Sequence, residues 1–220
     1  TKAPVTLRVT LQHFKKYSKE VVYIAGNHEY YGCNYDRVAV ISKLKELCNE
    51  LGIHFLHRES VVLFGIKFVG ATLWSAIDSV AEKGINDFNN VFKNRIEYLR
   101  EFIHDFEYLE DETKKSFDFE GPTVFVTHHL PSKKLIHPRF MYNNINTAFY
   151  TNILDCLYTQ RIVLWISGHT HEYGMLRTSD TVLVVNHLGY PGETRETRLR
   201  TDKFQIIYNK EHDRAAVIVP

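Results

Sequence analysis

The chain has 220 residues, 44% hydrophobic and 24% charged, with 27 basic and 26 acidic side chains giving a formal net charge of +1. This composition fits a globular chain and excludes an intrinsically disordered one. The near-neutral balance offers no broad basic face, so long duplex nucleic acid is not an expected partner.

Residues 5–18 place Leu7, Leu11 and Phe14 at helical spacing and predict an amphipathic helix. "VVYIAG" (21–26) is a short apolar, β-branched run ending in Gly, the pattern of a buried strand. Residues 37–51 predict a second helix through Val40, Ile41, Leu44, Leu47 and Leu51, with Gly52 as its C-terminal cap. "SVVLFGIKFVGATLW" (60–74) predicts two strands around Gly65, followed by a loop carrying Trp74. The acidic, aromatic stretch 79–120 carries a helical stripe of Ile96, Leu99, Ile103, Phe106 and Leu109, expected to form a surface cap or insertion. "TVFVTHH" (123–129) predicts a strand, residues 146–158 a helix, and "RIVLWIS" (161–167) another buried strand. "MLRTSDTVLVVN" (175–186) predicts a hairpin and "FQIIY" (204–208) a late strand.

Alternating strands and helices followed by hairpins predict an α/β sandwich with mixed sheets. No repeat, linker or low-complexity segment divides the chain, so residues 1–220 are expected to form a single domain. Cys33, Cys48 and Cys156 are odd in number, scattered and never in Cys-x-x-Cys spacing. They point to a reducing compartment and a cytoplasmic location. No run approaches the roughly 18 to 20 apolar residues of a membrane span, so no membrane is expected as a partner.

Twelve histidines are present, and several cluster where predicted strands end. "AGNHE" places Asn27, His28 and Glu29 after the first strand, "VTHH" places His128 and His129 after another, and "SGHTHE" places His169 and His171 after a third. The first two clusters alone have ordinary structural readings, a turn with a helix cap and a polar strand exit. Gly-His-Thr-His is already unusual, because a Gly-initiated turn can fan His169 and His171 towards two neighbouring positions. Three of them in one chain, each after an apolar strand, point to a metal site at the C-terminal edge of a sheet, where open α/β sheets bind ligands. Imidazole nitrogen suits Zn, Fe, Mn and Ni, while an amide oxygen such as that of Asn27 suits harder cations. That mixture predicts a borderline divalent ion rather than a thiolate zinc site. Tyr30, Tyr31 and Tyr142 either line a substrate entrance or pack at a sheet edge, and Arg139 in "HPRF" is a candidate phosphate contact.

In this order, "GNHE" (26–29), "THH" (127–129) and "GHTH" (168–171) resemble three metal motifs of the calcineurin-like metallophosphoesterase family. "GATLW" (70–74), "NDF" (86–88) and "NHLGYPGE" (186–193) resemble a cytoplasmic branch of it. The resemblance implies a metallophosphatase-like, four-layer α/β/β/α sandwich that holds two divalent metal ions and hydrolyses a small phosphomonoester or phosphodiester. It implies Asn27, His128 and His169 as ligands of the second metal and His171 as a ligand of the first. It also implies His28 beside the leaving group, with Glu29 and His129 orienting their neighbours.

The family opens with Asp-x-His and Gly-Asp-x-x-Asp strand ends, and this chain has neither: no Asp is followed two positions later by His, and no Gly is followed by Asp. The missing groups include the carboxylate that bridges two mutually repelling dications. One metal site is therefore expected to be incomplete, in an N-terminally incomplete copy representing about the last four-fifths of the domain. Two strand–helix units of roughly 40 to 60 residues are expected ahead of Thr1. The alternatives are a non-catalytic scaffold or inactive fragment of the same fold, and, within enzymes, a metal-dependent nuclease.

Overall fold

The computed structural model describes residues 3–185, 205–209 and 214–218. Helix α1 (Ala3–Tyr17) leads to strand β1 (Val22–Tyr23), and helix α2 (Arg37–Leu51) crosses over to strand β2 (His54–Phe55). β1 and β2 pair in parallel, with Val22 opposite His54 and Tyr23 opposite Phe55. The expected strand 21–26 is thus cut to two residues, because beyond Tyr23 the chain leaves its neighbour and turns into the Asn27 cluster. Asp36 caps α2, its side chain accepting from the Ala39 N–H at 3.0 Å. Gly52 ends that helix in the left-handed region at φ 64°, as its sequence position predicts.

The remaining strands are β3 (Glu59–Leu63), β4 (Ile66–Ala71), β5 (Thr123–Thr127), β6 (Ile162–Ser167), β7 (Gly174–Arg177) and β8 (Val182–Val185). They form one six-stranded sheet in the order β3-β4-β5-β6-β8-β7. Its four inner strands run parallel, and antiparallel hairpins close the two edges. Strands β9 (Gln205–Asn209) and β10 (Arg214–Ile218) form a separate antiparallel pair. The "NHLGYPGE" segment, including His187, lies outside the described residues. The fold is mixed α/β, as expected. Period-two alternation divides the inner strands between two apolar layers: Phe125, Trp165 and Leu183 on one face, Val124, Leu164, Val182 and Val184 on the other. A third cluster, centred on Trp74, Phe92 and Tyr98, fills the space between α1, α2 and the loops after β4.

Helices α3 (Ser79–Glu82), α4 (Asp87–Asn90) and α5 (Arg95–Lys115) occupy the middle of the chain. The face that α5 buries differs from the expected stripe: Ile96 is 71% exposed and Ile103 48%. Leu109 of that stripe is buried as expected, while Tyr98, Asp105 and Glu112 are buried in place of the two isoleucines. Ion pairs make this possible. Arg58 Nη1 donates to Asp105 Oδ1 at 3.0 Å, and Lys67 meets Glu112 at 2.6 Å. The helix expected over 146–158 is also absent; short 3-10 turns at Asn146–Ala148 and Leu154–Cys156 stand in its place. Leu130 N–H donates to Phe149 O and Thr151 N–H to Leu130 O, both at 3.0 Å. These pairings commit the backbone between the two turns to the loop after β5.

Candidate metal centre

Three strand ends converge because their backbones are tied together. The Thr72 carbonyl, just past β4, accepts from the N–H groups of both His128 (3.1 Å) and His129 (3.2 Å). The Thr72 hydroxyl donates to Ala25 O at 2.9 Å. Gly168 N–H, just past β6, donates to His128 O at 3.0 Å. Beneath them the buried Thr127 hydroxyl accepts from Trp165 Nε1 at 2.9 Å and donates to His129 O at 3.0 Å. Thr72, in the "GATLW" segment, is therefore the link between the Asn27 loop and the His128 loop, a role its sequence context did not reveal.

The side chains meet at one point. His128 Nε2 lies 3.1 Å from Asn27 Oδ1 and 3.0 Å from His169 Nδ1. Gly26 allows this approach, since a Cβ there would fall 2.6 Å from His128 Cε1. Phe149 stacks on the His169 ring at 4.7 Å, and His169 holds a left-handed φ of 70°. His171, also left-handed at φ 54°, lines the same cavity, as does the exposed His28, whose ring packs 4.5 Å from Tyr31. Two non-glycine residues in that region within one turn store strain of roughly 1–3 kcal/mol each, a cost usually found where side-chain placement matters.

Glu29 Oε2 accepts from Gly26 N–H at 2.8 Å and so braces the turn before Asn27. His129 is fully buried between Trp74 and His169, with ring centroids 5.4 and 4.3 Å away. Both its ring nitrogens lack a hydrogen-bond partner among the described residues, so it meets its neighbours by packing. Asp87, quoted in "NDF" without a role, accepts from Asn27 Nδ2 at 3.1 Å. Tyr31 lines the cavity; Tyr30 does not, being buried against Trp74. Tyr142 is 95% exposed and lies outside the lining. Arg139 reaches the cavity wall and is ion-paired with Glu172.

Residues 3–173 match the sequence profile of the calcineurin-like phosphoesterases. The chain belongs to that family. A calcineurin-like phosphoesterase of this kind is similar to an uncharacterized protein of Acanthamoeba polyphaga mimivirus, at 29% identity over 198 residues, covering 79% of this chain and 69% of the relative. Its fold is similar to that of the phosphopantetheinyl hydrolase PptH from Mycobacterium tuberculosis, with a TM-score of 0.56 at 16% identity over 88% of this chain and 80% of the other. It is also similar to a putative 5'-nucleotidase from Staphylococcus aureus, with a TM-score of 0.54 at 12% identity over all of this chain and 39% of the other.

The donor spacing around His128 leaves room for one divalent ion. Two ligand atoms about 2.1 Å from one ion and at right angles lie about 3.0 Å apart, close to the 3.1 and 3.0 Å separations around His128 Nε2. The imidazoles are held neutral. Burial, then the neighbouring His129, His28 and His171, pushes His128 well below the usual histidine range. His169 is pushed the same way by burial and then by His128. Neutral imidazoles keep the lone pairs that a metal requires. A finished site is another matter: among the described residues no three His, Cys, Asp or Glu side chains gather in a metal-binding arrangement. The converging set is two imidazoles and an amide, with no carboxylate.

Proposed function

We propose that this calcineurin-like phosphoesterase is a metal-dependent hydrolase of small phosphomonoesters or phosphodiesters, acting in the cytoplasm at a centre for two divalent ions drawn from Mn, Fe, Zn and Ni, of which the residues of this chain leave one site incomplete. The observation that carries this reading is the meeting of Asn27 Oδ1 and His169 Nδ1 at His128 Nε2, from segments 101 and 41 residues away from His128. These three residues would hold one ion, and His171 is the ligand offered to the other. The bound ions would supply Lewis-acid polarisation of the phosphoryl group and lower the pKa of water from 15.7 towards about 7. The cytoplasmic assignment rests on the three cysteines, all of which are free.

The protein's own groups complete the reaction. The cavity, of about 860 Å³, accommodates a phosphoryl group together with an organic leaving group. His28 stands on its wall, exposed beside Tyr31. As an imidazolium it would donate Nε2–H or Nδ1–H to the departing alkoxide oxygen. Arg139, on the same wall, offers guanidinium N–H groups to phosphoryl oxygens. Glu29 and the Thr72 contacts keep the Asn27 and His128 loops in register. His28→Ala is expected to lower turnover of an alkyl phosphate, whose alkoxide needs a proton to leave, about 10²- to 10⁴-fold, with Mn²⁺ affinity unchanged. Loss of Mn²⁺ binding in that variant would instead make His28 a ligand. A non-catalytic scaffold built on this fold would show no metal-dependent turnover before or after the substitution.

A further inference from the structure

Asp87 is 2% exposed, and one of its oxygens does two jobs. Oδ1 accepts from Asn27 Nδ2 at 3.1 Å and from the Tyr31 hydroxyl at 2.9 Å. Asn27 Nδ2 also lies 3.1 Å from the Tyr31 oxygen, closing a triangle. The three residues come from the turn after β1 and from α4, far apart in sequence, and the triangle shares Asn27 with the donor cluster at His128.

This arrangement has a direction. An ionised carboxylate only accepts hydrogen bonds, so the Asn27 atom facing Asp87 must be the amide nitrogen. The amide oxygen then faces the opposite way, towards His128 Nε2. The terminal torsion of Asn is broad and roughly two-fold, so the side chain alone gives little preference between presenting oxygen and presenting NH₂. Only the oxygen has lone pairs for a cation. The helix that carries Asp87 is four residues long, and the carboxylate is turned to Asn27 and Tyr31.

We propose that Asp87, assisted by Tyr31, is a positioning residue that locks the Asn27 amide with its oxygen turned into the metal position. It thereby sets cation affinity without touching the cation. This rests on Asn27 being a ligand, as proposed above, and the test separates the two claims.

The experiment is calorimetric titration of Mn²⁺ into the full chain, with unfolding monitored in parallel. Asp87→Leu is expected to weaken Mn²⁺ binding about 10- to 100-fold, the usual cost of removing a group that orients a ligand. Asp87→Asn, which keeps an acceptor oxygen, recovers most of that loss. In an Asn27→Ala background Asp87→Leu adds nothing further, because there is no amide left to orient. A merely structural role for Asp87 would instead give additive losses. Unchanged Mn²⁺ affinity in Asp87→Leu, with Asn27→Ala impaired, would overturn the positioning role alone. Unchanged affinity in Asn27→Ala would overturn the ligand assignment and this proposal with it. Should Asp87→Leu fail to fold, the exchange Asn27→Asp with Asp87→Asn reverses the same bond. Mn²⁺ binding stronger than in Asn27→Asp alone supports the proposal, and no recovery rejects it.

Discussion

At the level of single residues, the centre depends on contacts that side-chain identity alone does not show. Gly26 is the clearest case, because a methyl group there would enter the space of the His128 ring. Gly26→Ala should therefore cost about 1–3 kcal/mol as an overpacked site and weaken Mn²⁺ binding by displacing His128. Chemical unfolding and metal titration on the same sample check both effects; wild-type behaviour in both would show that the ring has room to move. The histidines and Asn27 were legible in sequence because each follows an apolar strand run. Asp87, Thr72 and Phe149 were not. Their contribution depends on pairings across 60, 47 and 20 residues, and nothing in the local pattern of a loop encodes such a pairing. Tyr30 and Tyr31, each readable as an entrance residue or as packing, divide between the two: Tyr31 faces the cavity and Tyr30 packs on Trp74, because a 3-10 turn sends the two rings in different directions.

Among the elements, α5 shows how a buried polar pair can redirect a helix. Periodicity counts apolar residues, so beside Leu109, which is buried, it selected Ile96 and Ile103, which are exposed. The face that packs inward carries Asp105, whose Oδ2 accepts from Trp74 N–H at 3.2 Å while Arg58 meets Oδ1. Trp74 lies in the loop two residues after Thr72, so this carboxylate also anchors the segment that ties the Asn27 and His128 loops together. Burial pushes the Asp105 carboxyl up to about 7, outweighing the opposing pull of Arg58 and the Trp74 N–H. In an unfolded chain its pKa is about 3.9. A folded pKa above the unfolded one means that the group's contribution to stability is full below about pH 4 and is lost as pH rises through about 7. Wild type should therefore lose stability relative to Asp105→Asn between pH 5 and pH 8. Urea unfolding at both values measures the difference, in which the histidines common to both proteins cancel. A difference that does not change with pH would show that Asp105 stays ionised throughout. The helix expected over 146–158 failed for a similar reason, since Leu130 claims the backbone of Phe149 and Thr151.

For the molecule as a whole, strand order and chemistry agree. β4, β5 and β6 lie side by side in parallel, so their C-terminal ends open on one edge of the sheet. Thr72, His128 and Gly168 follow those three ends, and the His128 backbone is hydrogen-bonded to both of the others. The α/β class and most strands were readable from apolar, β-branched runs bounded by Gly and Pro. Which strands become neighbours was not, because pairing is a property of the assembled sheet. The account stands on Asn27, His128 and His169 sharing a single cation. Its most direct test is Mn²⁺ titration of the wild-type chain beside Asn27→Ala, His128→Ala and His169→Ala. All three variants should lose the same binding event while remaining folded. Wild-type Mn²⁺ affinity in folded His128→Ala or His169→Ala would show that these imidazoles meet only each other.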